Sequence, residues 1–366
     1  MSSNKARSAK SGYGWPQTLR LPSRPPKLVY LDLNQWIALA KAMAGHRGGD
    51  AYKEVLTCCL GASDRREAVF PLSDSIYFEI SKNGSHRQRR DLLQVIEPMS
   101  RFMVVMSRSN ISAHEIEAML DRIVGPSPKP INSMDYLDWG VARALGMVGG
   151  FKWRSSSSGE DVTAEVRSAH AHGPAAFDAI LSNAVLELNR KIITGPTPAE
   201  EPELRKRGWN PSSNYEIAER RAAQEIEQVS RFDQYPRWRQ GRIPPRDVVA
   251  AREVEIEIYD ALSRGLSLRG TTIAATFPVP DDTRSALDSM PSFDVAVTLK
   301  TAYHRNPSHP WTQNDIHDID AMGSTIPYCD IVVTDKQVAS HANQTKLAER
   351  LGTIVISKLT DLPQHL

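Results

Sequence analysis

Lys27 to Gly45 reads KLVYLDLNQWIALAKAMAG, and its two halves follow different periods. KLVYLDL is a short, mostly apolar run rich in β-formers, bounded by Pro26 and Asn34, which reads as a buried strand. QWIALAKAMAG then turns to helical spacing. Trp36, Leu39, Ala40 and Met43 fall on one face, and Gly45 stands where the helix would stop. A strand feeding directly into a helix opens a βα unit. Within it, Asp32 is the residue hardest to explain structurally, a carboxylate in a run of otherwise apolar character.

The same rhythm continues outward. AYKEVLTCCLG predicts a second helix, AVFPLS a strand, DSIYFEISKNG a helix opening on Asp74 and ending near Gly84, and RFMVVMS a third strand. Strands alternating with helices predict a parallel sheet. From about Ile111 the alternation gives way to helical segments separated by Gly, Pro and Ser loops, among them AAFDAILSNAVLELNRKI and DVVAAREVEIEIYDALSRG. Near the end α/β texture returns. NDIHDIDAMGSTI predicts a helix, DIVVT a strand, KQVASHANQTKLAERLG a helix ending at Gly352, and TIVIS a last strand. The expected organisation is a basic flexible arm over residues 1–26, α/β structure over 27–110, a helical insertion over 111–289 and α/β structure again over 290–366. The sheet is thus expected to be assembled from both ends of the chain.

Composition narrows the function classes. Across 366 residues, 40% are hydrophobic and 24% charged, close to globular norms, which excludes a collagen-like, coiled-coil or wholly disordered protein. No run approaches the roughly 18 apolar residues of a membrane span. Met1 to Lys27 carries six Lys/Arg and no apolar stretch, so no secretory leader is expected. Three cysteines, Cys58, Cys59 and Cys329, are too few for a disulfide scaffold or a four-cysteine zinc site. These features predict a soluble, cytoplasmic protein. Net charge is only +2, but the charges are segregated. No Asp or Glu occurs before residue 28, whereas Asp315, Asp318, Asp320, Asp330 and Asp335 fall within 21 residues.

Ligands of an open parallel sheet gather at the carboxyl ends of its strands. Asp32 lies near that end of the first strand, and Asp335 just past IVVT. Glu79 is on the helix after the second strand. Asp315 and Asp318, three apart on the late helix, share a face. Such a cluster repels itself unless compensated, and Lys82 and Lys336 are the candidate cations nearby. A divalent ion with a taste for oxygen, Mg²⁺ or Mn²⁺, is the simpler remedy, and it would polarise a phosphodiester and activate water. Asp320, on another face, is expected to be solvated, and Asp330 to be a turn or cap.

Together YLDLNQW, YFEI and NDIHDIDAMGSTIPYCDIVVTDK resemble the PIN-like nuclease domain. The resemblance covers roughly residues 27–106 and 290–366. It implies a parallel α/β sheet with an acidic pocket that cleaves RNA, in some members DNA, with Mg²⁺ or Mn²⁺, leaving 5′-phosphate and 3′-hydroxyl ends. Asp32 matches the acid ending the first strand and Glu79 the acid on the helix after the second. Asp318 matches the acid opening the late helix, and Asp335 the acid after the strand that ends in Thr334. Asp315 is expected to assist. Simple PIN domains lack the long helical insertion. By family analogy alone, the setting is a toxin or defence effector.

Basic groups supply the expected polymer contacts. RFDQYPRWRQGRIPPR interleaves arginines with Phe232, Tyr235 and Trp238, so Arg237, Trp238 and Arg239 are candidates to grip phosphates and stack bases. Arg87, Arg89 and Arg90 follow the Glu79 helix. RNA is favoured over DNA as partner, no membrane is expected, and a homodimer or an inhibitory protein would suit the helical region. His317-Asp318 resembles the dyad of HD phosphohydrolases, but the separate histidines that such a site needs are not evident. The rival reading is a non-catalytic nucleic-acid-binding or scaffolding protein whose acids are structural.

Overall fold

Leu28 to Leu31 are each at most 2% exposed, as a strand covered on both faces requires. They form β2 (Lys27–Leu31), and the chain turns at once into α1 (Leu33–Met43), capped by the Asp32 side chain. Gly45, at φ +70°, ends α1 in the left-handed region. The computed structural model describes residues 12–23, 25–147, 151–210, 244–306 and 308–366, with isolated positions between 216 and 227.

The central sheet is parallel, in the order β3 (Ala68–Val69), β2, β7 (Ile331–Val333), β8 (Ile354–Ile356). Leu31 lies opposite Val333, and Val333 opposite Ile356. The sheet is therefore built from both ends of the chain, with the late strand β7 beside the first. Beyond β3, Leu72 bridges β4 (Met103–Val105) in parallel fashion. Three further strands occur among the described residues: β1 (Leu19–Arg20) and β5 (Met134–Asp135) pair with each other, and β6 (Leu137–Trp139) runs antiparallel to β4.

The helices sort into three groups. Around the early strands pack α1, α2 (Lys53–Asp64), α3 (Asp74–Lys82) and α4 (His86–Ser100). A second core joins α5 (Arg108–Ile123), α7 (Pro245–Glu253) and α8 (Tyr259–Leu268) through Met119, Leu120, Val249, Leu262 and Leu266. The third group is α9 (Pro291–His304), α10 (Gln313–Thr325) and α11 (Lys336–Gln344). Helix α9 is buried along nearly its whole length. Val295, Ala296 and Leu299 join the sheet core, whereas Phe293 and Val297 join the second one. Between the groups, α6 (Gly173–Thr194) is tied down by Asn189, whose Oδ1 accepts from Tyr77 Oη (3.2 Å) and Val141 N (2.8 Å). Among the described residues no helix is long and apolar enough to cross a membrane.

Three expectations need correction. Residues 12–23 of the arm are not a loose tail: Trp15 and Leu19 are buried, and Gly14 N donates to Ser289 O at 2.8 Å. Residues 1–11 lie outside the described residues. The helical insertion contains strands β5 and β6, which flank the fully buried Tyr136. Runs of two and three residues are too short for a period of two to show. Lys336–Gly352 is also not one helix. Lys346 takes φ +57°, which separates α11 from α12 (Leu347–Leu351).

Candidate metal centre

Strand order singles out one crevice. From β2 the chain moves to β3 on one side, while β7 and β8 lie on the other, so the connections part between β2 and β7. In open α/β sheets that switch point, at the carboxyl ends, is where ligands bind. Asp32 follows β2 there, with its N–H donating to Val333 O at 3.0 Å. Asp335 follows β7 and Thr334.

Two helices bring the other acids. Ser73 caps α3 through its Oγ, which accepts from Ile76 N, and also bonds Tyr30 Oη at 3.0 Å. Glu79 lies a turn further on. A capping box at Thr312 and Asp315 starts α10 and sets Asp318 one turn in. Ser75 Oγ donates to His317 O at 3.1 Å, locking α3 against α10. One carboxylate oxygen each of Asp32, Glu79 and Asp318 lies within 4.8 Å of the others. That approaches the ~4.2 Å separating opposite ligands of a single Mg²⁺.

Burial and mutual repulsion act on every acid of the cluster. Burial pushes Asp32 up to about 6, with Asp335 adding to it and the Leu33 N–H opposing. Burial and the Asp32 charge bring Glu79 to about 7, against the pull of Lys82. Asp318 is pushed furthest, to about 9, by burial and then by Asp32, Glu79, Asp335 and Asp315. His317 is brought down to about 4, by burial first and Lys82 second, and stays neutral. Lys82 Nζ is 3.2 Å from Asn314 Oδ1, and its charge acts on Glu79. Three carboxylates sharing a desolvated crevice suit a hard cation, and the all-oxygen donor set fits Mg²⁺ or Mn²⁺ better than zinc.

The remaining expected site residues divide. Asp335 stands at the rim, where Oδ1 caps α11 by accepting from Gln337 N (2.6 Å) and Val338 N (3.1 Å). Its charge acts on Asp32 and Asp318. Asp315 is not free to assist as a ligand. Its Oδ2 accepts from Thr312 N (2.6 Å) and Thr312 Oγ1 (2.8 Å), and its Oδ1 faces His309 Nε2 at 3.2 Å. Asp320 is not solvated but half-buried against Arg108 and Arg221. Asp330 is structural as expected, its Oδ2 accepting from Leu28 N at 2.9 Å.

Among the bases, Arg89 is withdrawn from any polymer. It is buried, and its guanidinium donates to Ile193 O (2.7 Å) and Ile192 O (2.6 Å), closing the C-terminus of α6. Arg87 and Arg90 are exposed beside it. Arg237, Trp238 and Arg239 lie outside the described residues. Sequence reasoning missed Ser73 and Ser75, which aim the Glu79 helix. Hydroxyls of this kind have no pattern that marks them before the helices are docked.

No family model, curated protein or solved structure matches the chain. The function must be argued from the site itself.

Proposed function

We propose that the protein is a metal-dependent endonuclease, most simply an endoribonuclease, on a PIN-like α/β frame. The observation that carries this reading is the meeting of Asp32, Glu79 and Asp318 at the switch point of a parallel sheet. Asp32, Glu79 and Asp318 would hold Mg²⁺ or Mn²⁺, with the charge of Asp335 at the rim. A bound ion of this kind supplies an activated water and neutralises charge on a scissile phosphate.

The chain's own residues do the positioning. The Leu33 N–H fixes Asp32 Oδ1 at 2.7 Å, so the first acid has little rotamer freedom. The Ser75–His317 bond keeps α3 and α10 from separating under the repulsion of Glu79 and Asp318. Burial of Asp32 keeps bulk water from screening the field it creates. No protein nucleophile is needed, because hydrolysis by activated water leaves 5′-phosphate and 3′-hydroxyl ends. The choice of RNA over DNA rests on the PIN-like resemblance.

The test is cleavage of end-labelled single-stranded RNA and DNA in Mn²⁺, Mg²⁺ or EDTA, beside Asp32→Asn. Metal-dependent cleavage that disappears in the variant is the expected result. No cleavage, with no thermal stabilisation by Mn²⁺, would return the protein to the binding or scaffolding class.

A further inference from the structure

A second recess lies along α9, on the line of Asp294, Thr298, Thr301 and Arg305, which stand three to four residues apart and so share a face. It holds about 670 Å³, within the ~300–1,000 Å³ of small-molecule sites. Three stretches of chain meet over it. Tyr13 comes from the N-terminal segment, Arg246 from α7 with Asp288 from the helix Pro280–Asp288, and Arg350 from α12. None of the three crevice acids lines it.

The recess is built around one carboxylate that two arginines share. Asp294 is 4% exposed. Its Oδ1 accepts from Arg246 (2.7 Å) and Thr298 Oγ1 (3.1 Å), and its Oδ2 from Arg350 (2.8 Å) and the Tyr13 hydroxyl. Arg246 also donates to Asp288 Oδ1 (2.5 Å) and Thr298 Oγ1 (2.9 Å), and Arg350 to Thr345 O (2.8 Å) and Tyr13 Oη (3.3 Å). A guanidinium has five N–H donors, and each of these two spends three on the protein, so two remain on each. Arg305, at the far end of the line, is exposed and pairs with no acid among the described residues. Among the described lining residues three arginines thus answer two acids, Asp288 and Asp294. The network at Asp320 is different in kind: Arg108, Arg221 and Lys300 meet as many acids in Asp320, Glu253 and Glu257.

We propose that this recess binds a small phosphorylated ligand of about the size of a nucleoside monophosphate, at a site separate from the acidic crevice. Guanidinium groups match phosphate oxygens in charge and in fork geometry. Asp294 holds Arg246 and Arg350 in place before any ligand arrives, so little side-chain freedom is lost on binding. Arg305 brings the charge that the protein leaves unanswered. A bare phosphate would fill only a small part of the space. Ser285 and Thr301 add hydroxyls to the wall and Ala302 an apolar patch, which a sugar and a flat ring can use. Because Arg246 belongs to the helical region and Arg350 to the last helix of the sheet unit, a phosphate held by both ties the two together. The site does not depend on the nuclease reading.

Calorimetric titration of the full chain in EDTA, which keeps metal out of the crevice, tests the site with AMP, pyrophosphate and adenosine. AMP or pyrophosphate should bind and raise the melting temperature, and adenosine should do neither. Arg305→Gln, at an exposed position without an ion pair, should keep the melting temperature of the unliganded protein and weaken the phosphorylated probe about tenfold. Ala302→Leu adds bulk to the recess without touching a charge and should abolish binding. Failure of both AMP and pyrophosphate to bind would overturn the proposal. So would adenosine binding as well as AMP, or wild-type affinity in both variants. A short single-stranded RNA without terminal phosphates that binds through Arg305, when AMP and pyrophosphate do not, would assign the recess to a polymer and sink the small-ligand reading.

Discussion

Asp318 and Asp320 stand two residues apart on α10 and meet opposite fates. Asp320 faces the helical region, where Arg108 donates to its Oδ1 at 2.8 Å and Arg221 clasps both of its oxygens. Arg108 also reaches Glu253, which Lys300 meets at 2.7 Å, and Arg221 reaches Glu257 at 2.8 Å. Burial works to raise Asp320, but Arg221 and Arg108 outweigh it and hold its carboxyl well below the usual range. Asp318 faces the sheet crevice, where its nearest charged company is Asp32 and Glu79. One helix therefore carries an acid held down by two arginines and an acid pushed up by burial and by other acids. The chain has arginine and lysine enough to quench buried carboxylates and does so at Asp320. The crowding of acids around Asp318 is thus a local property of the crevice, which is why it reads as a place for an ion rather than as loose packing.

The contrast breaks down or sharpens under substitution. Asp32→Asn has the largest expected effect, a loss of metal-dependent RNA cleavage on the order of 10³-fold, with the fold retained in circular dichroism. An active Asp32→Asn protein would mean that the crevice is not the catalytic centre. Next comes Arg108→Met. Removing this cation leaves the buried Glu253 and the half-buried Asp320 with too little charge to answer them, and should cost about 3–5 kcal/mol in urea unfolding.

The third substitution should act with the opposite sign. Asp318→Asn relieves repulsion in the crevice, so the metal-free protein should gain about 1–2 kcal/mol at pH 8, and Mn²⁺ should cancel that advantage by stabilising only the wild type. A loss of stability without metal would show Asp318 to be as fully partnered as Asp320.

Glu115 supplies an intermediate case, an acid surrounded mainly by neutral donors. Ser292 N (3.0 Å), Ser292 Oγ (2.5 Å) and Tyr328 Oη (2.6 Å) all reach its carboxyl, yet burial still pushes it up to about 7. A carboxyl raised on folding contributes stability that is full below its unfolded value of about 4.3 and is lost as pH rises through the folded one. Wild-type stability should therefore fall by about 1–2 kcal/mol between pH 4.5 and 7.5 relative to Glu115→Gln. Parallel unfolding curves for the two proteins across that range would contradict the assignment.

Much of the site was legible because it depends on local texture. Asp32 stood out as a carboxylate closing an apolar strand. Glu79 and Asp318 followed from their order after later elements, and the parallel sheet from alternating periods. What escaped depends on distance along the chain. Arg108 and Arg221 lie 212 and 99 residues from Asp320, beyond the reach of any periodicity. Two misreadings had local remedies. The expected polymer contacts group Arg89 with Arg87 and Arg90, but Arg89, Leu92 and Ile96 share a helical face, and all three are buried. Thr312 and Asp315 have the spacing of a capping box, which commits the acid before any metal is considered. The PIN-like identity of the frame remains a proposal, carried by the order of the acids and tested at Asp32.

The position of β7 has a consequence for biosynthesis. Two of the three crevice acids, Asp32 and Glu79, emerge from the ribosome early, whereas Asp318 and the strand that completes the crevice come after the whole helical region. At about 5–20 residues per second, the stretch between β3 and β7 takes on the order of 10–50 s to translate. Throughout that interval β2 has β3 on one side and an open edge on the other. A nascent or prematurely terminated chain that stops before α10 therefore lacks Asp318 and the strand that completes the crevice, so the acidic cluster forms only when translation has passed β7.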